Sequence, residues 1–212
     1  VYDTKSDPQL ALQQLQELRG RGIRFVLGPT SSAEAAALRT FAFENGMILI
    51  SPSSTAPSLA IAGDSLYRFT VDDTHQGKIV PEFLWQAGIK AVAPIFRMDT
   101  YGQALSEAVQ KSFEEYGGTV SAPISYSPDE TDFSAVVSKL DENVRALLEK
   151  FDASQIVVHA SSFGEVSDIM ELASTYPELA RVRWFGCDSN TQDKRIVENP
   201  IVAPFAYSTC FT

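Results

Sequence analysis

The feature that most constrains this chain is a repeated exchange between short, apolar, β-branched runs and longer amphipathic ones. Residues 23–27, 47–50, 91–96, 119–126, 156–159 and 182–185 are strand-length and rich in Val, Ile and aromatic side chains. Helical segments lie between them. Asp7 ahead of Pro8 pairs a capping side chain with proline at the first helical position. Leu10, Leu12, Leu15 and Leu18 then predict a buried stripe before Gly20 and Gly22 end the helix. Ser31-Ser32 followed by Glu34 opens a second helix, whose segment 35–43 stops at Asn45-Gly46. Residues 76–86 (with a kink expected at Pro81), 102–116, 133–151 and 165–173 predict further helices. Residues 1–3 read as the end of a strand, entered mid-fold. Strands separated by helices need crossover connections, so they predict parallel sheets buried on both faces. The expected fold class is doubly wound α/β, in which ligands bind at the loops leaving the carboxyl ends of the strands.

Composition removes several functions. The 17 Lys and Arg against 27 Asp and Glu give a formal charge of −10, which excludes a nucleic-acid partner because such binding needs clustered positive charge to release counterions. A chain of 212 residues buries about 70% of its unfolded surface and needs no staple. No apolar run approaches the roughly 18 residues of a membrane span, so no membrane insertion is expected in this segment. Cys187 and Cys210 match no metal-ligand spacing, and whether they pair as a disulfide is left open. There is no G-x-S-x-G elbow, no phosphate-binding P-loop and no H-E-x-x-H. Gly20-Arg21-Gly22 precedes a strand, whereas a dinucleotide fingerprint follows one. His75 and His159 lack an identifiable nucleophile. The expectation is a binding protein that is not an enzyme and takes neither cofactor nor metal.

Four strand-end segments carry candidate chemistry. Gly28-Pro29-Thr30-Ser31-Ser32 and Ser51-Pro52-Ser53-Ser54-Thr55 are hydroxyl-rich turns, the first directly at a helix N-terminus. Hydroxyls and free backbone N–H groups there suit a carboxylate; helix capping is the competing explanation. In the fourth segment, Gly186-Cys187-Asp188-Ser189, Asp188 has no Lys or Arg near it in sequence. It suits either an ammonium group or another cap. In Arg97-Met98-Asp99-Thr100-Tyr101-Gly102, Tyr101 offers an apolar ring with one phenolic donor. The charged helix around Asp141, Glu142, Arg145, Glu149 and Lys150 reads as a solvated face.

Taken in order, several strings resemble the leucine/isoleucine/valine-binding-protein family of substrate-binding proteins, with the type I periplasmic-binding-protein fold. They are Tyr2-Asp3-Thr4-Lys5-Ser6-Asp7-Pro8, the two hydroxyl turns, Arg68-Phe69 leading to Gln76-Gly77, Asp99-Thr100-Tyr101-Gly102, Asp132-Phe133-Ser134, and Trp184-Phe185-Gly186 leading to Asp188. The resemblance spans nearly the whole chain. It implies two Rossmann-like lobes closing on a small ligand in the cleft between them. The first lobe would be truncated (residues 1–72), the second would span 73–208, and 209–212 would start a return crossover. It further implies that Ser31, Ser32, Ser53 (through its backbone) and Thr55 hold a ligand carboxylate. Tyr101 would contact the ligand, and Asp188 would accept from its ammonium group. Near His159 some relatives place an aromatic residue; His159 stands here as a candidate polar contact. The implied role is an extracytoplasmic solute-binding protein, periplasmic or extracellular and compatible with a membrane anchor. It would deliver an amino acid or small carboxylate to the membrane permease of an ABC transporter. The alternative is the ligand-sensing extracellular domain of a receptor or chemoreceptor.

Overall fold

The computed structural model describes residues 1–191, 193–209 and 211. Its contacts divide the chain into two units, residues 1–75 and 76–212.

In the first unit, Asp7 Oδ1 accepts from the N–H groups of Gln9 (2.7 Å) and Leu10 (3.2 Å), starting helix α1 (Pro8–Gly20). Strand β1 (Phe25–Leu27) leads to helix α2 (Ser32–Glu44), then to strands β2 (Ile48–Ser51) and β3 (Leu66–Arg68). The three strands form a parallel sheet in the order β1-β2-β3. One face of it packs Leu49 and Leu66 against Ala11 and Leu15 of α1 and Ala35, Leu38 and Ala42 of α2. Several expectations change here. The α1 stripe centres on Ala11 and Leu15, with Leu10, Leu12 and Leu18 half-buried, because a short sheet covers a narrow arc of the helix. Residues 1–4 carry no strand. Strand β3 escapes a periodicity reading because it has three residues and exposes Tyr67. Burial on both faces fails at β1, where Phe25 and Leu27 are exposed.

In the second unit, helix α3 (Asp73–Gln86), which carries the division between the units, continues as one helix through Pro81. It is followed by β4 (Ala91–Arg97), α4 (Thr100–Glu115), β5 (Thr119–Val120), β6 (Ile124–Tyr126) and α5 (Ser134–Leu148). Next come β7 (Ile156–Ser161), α6 (Val166–Ala173), β8 (Arg183–Phe185), α7 (Lys194–Glu198) and α8 (Val202–Ser208). The parallel sheet runs β5-β4-β7-β8, with β6 also paired to β4. The single strand expected over 119–126 is two, because Ser121, Ala122 and Pro123 interrupt the ladder between the residues that pair with each end of β4. Every residue of β4 except Arg97 is buried. Ala91, Ala93 and Ile95 face the layer of α5, α6 and α8. Val92 and Val157 face Val80 and Leu84 of α3 and Leu105 and Val109 of α4. Helices α7 and α8 lay beyond the sequence reading: at five and seven residues they are too short for a periodic signature. Cys187 is a buried free thiol; Cys210 and Thr212, and with them any disulfide or crossover there, lie outside the described residues.

Candidate ligand-binding site

In the first unit the two hydroxyl-rich turns follow β1 and β2, neighbouring parallel strands, and therefore leave the same sheet edge. They are stitched together. Ser51 Oγ donates to Pro29 O (2.7 Å), Ser53 Oγ to Thr30 O (2.9 Å), and Ser54 Oγ to Ser31 O (3.1 Å). Arg68 of β3 closes the second turn by donating to the carbonyls of Ser54 (3.2 Å) and Ala56 (2.9 Å). Ser31 caps α2 in a capping box: its Oγ accepts from Glu34 N–H (3.2 Å) and donates to Glu34 Oε2 (2.9 Å). Ser32 Oγ accepts from Ala56 N–H (3.1 Å), which leaves its own proton for donation. Ser32 and Thr55 are buried, and Ser53 is exposed. Ser31 is thus a helix cap, while Ser32, Ser53 and Thr55 cluster in the joined turns.

In the second unit, Asp99 Oδ1 accepts from the N–H groups of Tyr101 (3.0 Å) and Gly102 (2.8 Å), fixing the start of α4. Gly102 sits against the carbonyl oxygen of Arg97, where a Cβ has no room. The buried Tyr101 ring stacks on Phe163 (5.3 Å between centroids, 16°), and its O–H donates to Asp188 Oδ1 at 2.5 Å. Behind Phe163 lies the Arg97 guanidinium, 5.2 Å from the ring centre. Arg97 pairs with Asp99 (2.8 Å) and Glu165 (3.4 Å), and Glu165 Oε1 also accepts from Tyr126 O–H (3.0 Å). Burial above all, with the nearby Cys187 and Asp188, pushes the Tyr101 phenol up, so it stays a proton donor. Burial likewise raises the Cys187 thiol.

Asp188 itself is exposed, and among the described residues it has no cationic partner. Its loop hangs from the end of β7. Ser189 Oγ donates to Ser162 O (2.6 Å), and Asn190 Nδ2 reaches the same carbonyl (3.3 Å), while Cys187 N–H donates to Asn190 Oδ1 (2.9 Å). On its other side the Gln76 amide of α3 meets Asp188 twice. With the amide assigned the orientation that satisfies both of its groups, its NH2 donates to Oδ1 (3.0 Å) and its carbonyl accepts from the Asp188 N–H (3.1 Å). Sequence reading missed Gln76 as a site residue, along with Phe163, Ser189 and Asn190. Gln76 stands in a string that supported the resemblance, but nothing local says that it faces Asp188.

His159 requires a correction. It lies within β7, which continues to Ser161, and has no exposed surface. Its ring is 6.4 Å from Phe185, its Nδ1 is 3.5 Å from Ser161 Oγ, and its Nε2 has no partner among the described residues. Burial lowers its pKa to about 4, so it is neutral at pH 7. The structure places it within β7, two residues before the strand ends, and fully buried.

The sequence profile of the receptor family ligand binding region matches residues 1–208. The chain belongs to that family. It is 30% identical to an uncharacterised protein of Methanocaldococcus jannaschii, across 100% of this chain and 52% of that protein. It is 28% identical to the leucine-, isoleucine-, valine-, threonine- and alanine-binding protein of Pseudomonas aeruginosa, across 66% of this chain and 38% of that protein. Its structure superposes with a TM-score of 0.70 and 25% identity on the substrate-binding protein of a branched-chain amino acid transporter from Streptococcus pneumoniae in complex with isoleucine, covering 89% of this chain and 51% of that one. The fold is thus the type I periplasmic-binding-protein fold, and the chain spans about half the length, or less, of these proteins. No helix among the described residues is long and apolar enough to cross a membrane.

Proposed function

We propose that this member of the family binds a small amino acid or a similar carboxylate. The observation that carries the reading is Asp188: an exposed carboxylate without a cationic partner among the described residues, held in place by Tyr101 and Gln76. A carboxylate so anchored suits a ligand ammonium group. In the first unit, Ser31, Ser32, Ser53 and Thr55 supply hydroxyl and backbone donors suited to the ligand carboxylate. His159 has no exposed surface and is buried within β7. Likeness to amino-acid-binding relatives supports delivery to the permease of an ABC transporter, in the periplasm or outside the cell. The receptor family description favours a second reading, a ligand-sensing domain with the same binding chemistry.

Titration calorimetry of the chain against the twenty amino acids and matched small carboxylates tests the proposal. Saturable binding of an amino acid, lost in Asp188→Ala, is the expected result. Absence of binding across the panel overturns it.

A further inference from the structure

Asp188 presents its two oxygens unequally. Oδ1 accepts from the Tyr101 hydroxyl (2.5 Å) and, with the Gln76 amide in the orientation that satisfies both its groups, from the Gln76 NH2 (3.0 Å). Two donors occupy the two lone pairs of one carboxylate oxygen. Oδ2 has no hydrogen-bond or ion-pair partner among the described residues, on a side chain that is exposed. The second Gln76 contact, from its carbonyl to the Asp188 N–H (3.1 Å), fixes the backbone as well as the carboxylate. Ser189 and Asn190 tie the loop to Ser162 O, which holds the Asp188 backbone in place.

We infer that Gln76 is a positioning residue that makes Asp188 a one-oxygen acceptor, selecting a compact ammonium group over a planar guanidinium or amidinium. An ammonium needs one strong acceptor from this carboxylate. A guanidinium gains its advantage by donating to both oxygens in parallel, and here Oδ1 is already filled. The inference rests on the reading that Asp188 receives the cationic end of an amino acid.

The test compares three probes on the full chain: each amino acid of the panel, its des-amino carboxylate, and its α-guanidino analogue. The expected wild-type order is amino acid, then guanidino analogue, then des-amino acid. Gln76→Met keeps the side-chain length and removes both polar contacts. It is expected to weaken the amino acid about tenfold, the scale of one charge-assisted hydrogen bond. The des-amino acid should be unaffected, and the ratio of amino to guanidino affinity should narrow as Oδ1 regains a lone pair. A purely structural role would weaken all three probes together. Gln76→Asn, which keeps the amide but withdraws its reach, should narrow the ratio in the same direction and serves if Gln76→Met does not fold. Amino acid binding with an unchanged ratio in both variants overturns this inference alone. A wild-type chain that binds no amino acid overturns the binding reading and this inference together.

Discussion

The two sheets of this protein are written in the same alphabet of short apolar strands and amphipathic helices, yet they are finished differently. In the second unit β4 and β7 are buried along their lengths, between the layer of α5, α6 and α8 and the layer of α3 and α4. In the first unit a single layer, α1 and α2, covers one face. On the other face Phe25 and Leu27 are exposed by 71% and 87%, opposite Ile48 and Ile50, and Tyr67 continues the row. A strand's apolar composition therefore states that it can be buried, and the tertiary arrangement decides whether it is. The candidate clusters of the two units differ in a parallel way. The hydroxyls of the second turn largely donate to carbonyls of the first, whereas Asp188 stands exposed with one oxygen uncommitted among the described residues.

The sharpest way to break this contrast is to truncate one large apolar side chain in each sheet. Trp184 is fully buried, and its indole N–H donates to Leu179 O at 3.0 Å. Trp184→Ala is expected to cost about 3–5 kcal/mol, against a change within about 0.5 kcal/mol for Phe25→Ala, both read from urea unfolding by circular dichroism. Equal effects would mean that Phe25 is covered in solution. The next effect is a pH dependence confined to the second unit. His159 titrates at 6.5 in the unfolded chain and at about 4 in the fold. The unfolded state therefore binds the extra proton between those values. The contribution is fully retained above pH 6.5 and falls by about 3 kcal/mol as pH drops to 4. Unfolding followed through Trp85 and Trp184, both in the second unit, should show that slope, and His159→Leu should flatten it.

Smaller effects separate the candidate clusters of the two units. Gly102→Ala forces a Cβ onto the Arg97 carbonyl at the start of α4. A loss of about 1–3 kcal/mol is expected, with amino acid affinity falling because Tyr101 is the neighbouring residue. Wild-type stability in that variant would show that the loop yields freely. Ser31→Ala removes the capping box of α2 and is expected to cost about 1 kcal/mol. If it abolishes ligand binding while leaving the melting temperature unchanged, the Ser31 hydroxyl serves the ligand rather than the helix.

Much of the fold was legible because caps and periodicity are local. Asp7-Pro8 and the Ser31 and Glu34 pair each start the helix that the sequence announces. Legibility ends where elements are shorter than their own period, as in β3, α7 and α8, or where a proline interrupts a run, as Pro123 does between β5 and β6. Strand-end position singled out the hydroxyl turns, which the structure joins, and Tyr101 and Asp188, which it brings into contact, because a parallel sheet sends its own strand-end loops to one edge. Strand-end position also misleads: the apolar run 156–159 puts His159 at a strand end, whereas the strand continues to Ser161 and leaves His159 buried.

By itself, then, the sequence determined the parallel α/β class, the starts of α1 and α2 and the residue types available at the loops, since all of these follow from neighbours along the chain. The tertiary structure alone decided which strand faces are covered, that His159 is neutral and buried, and that Gln76 meets Asp188. Each of these depends on what distant segments bring to the same place, and burial and hydrogen-bond partners are properties of that place rather than of the residue.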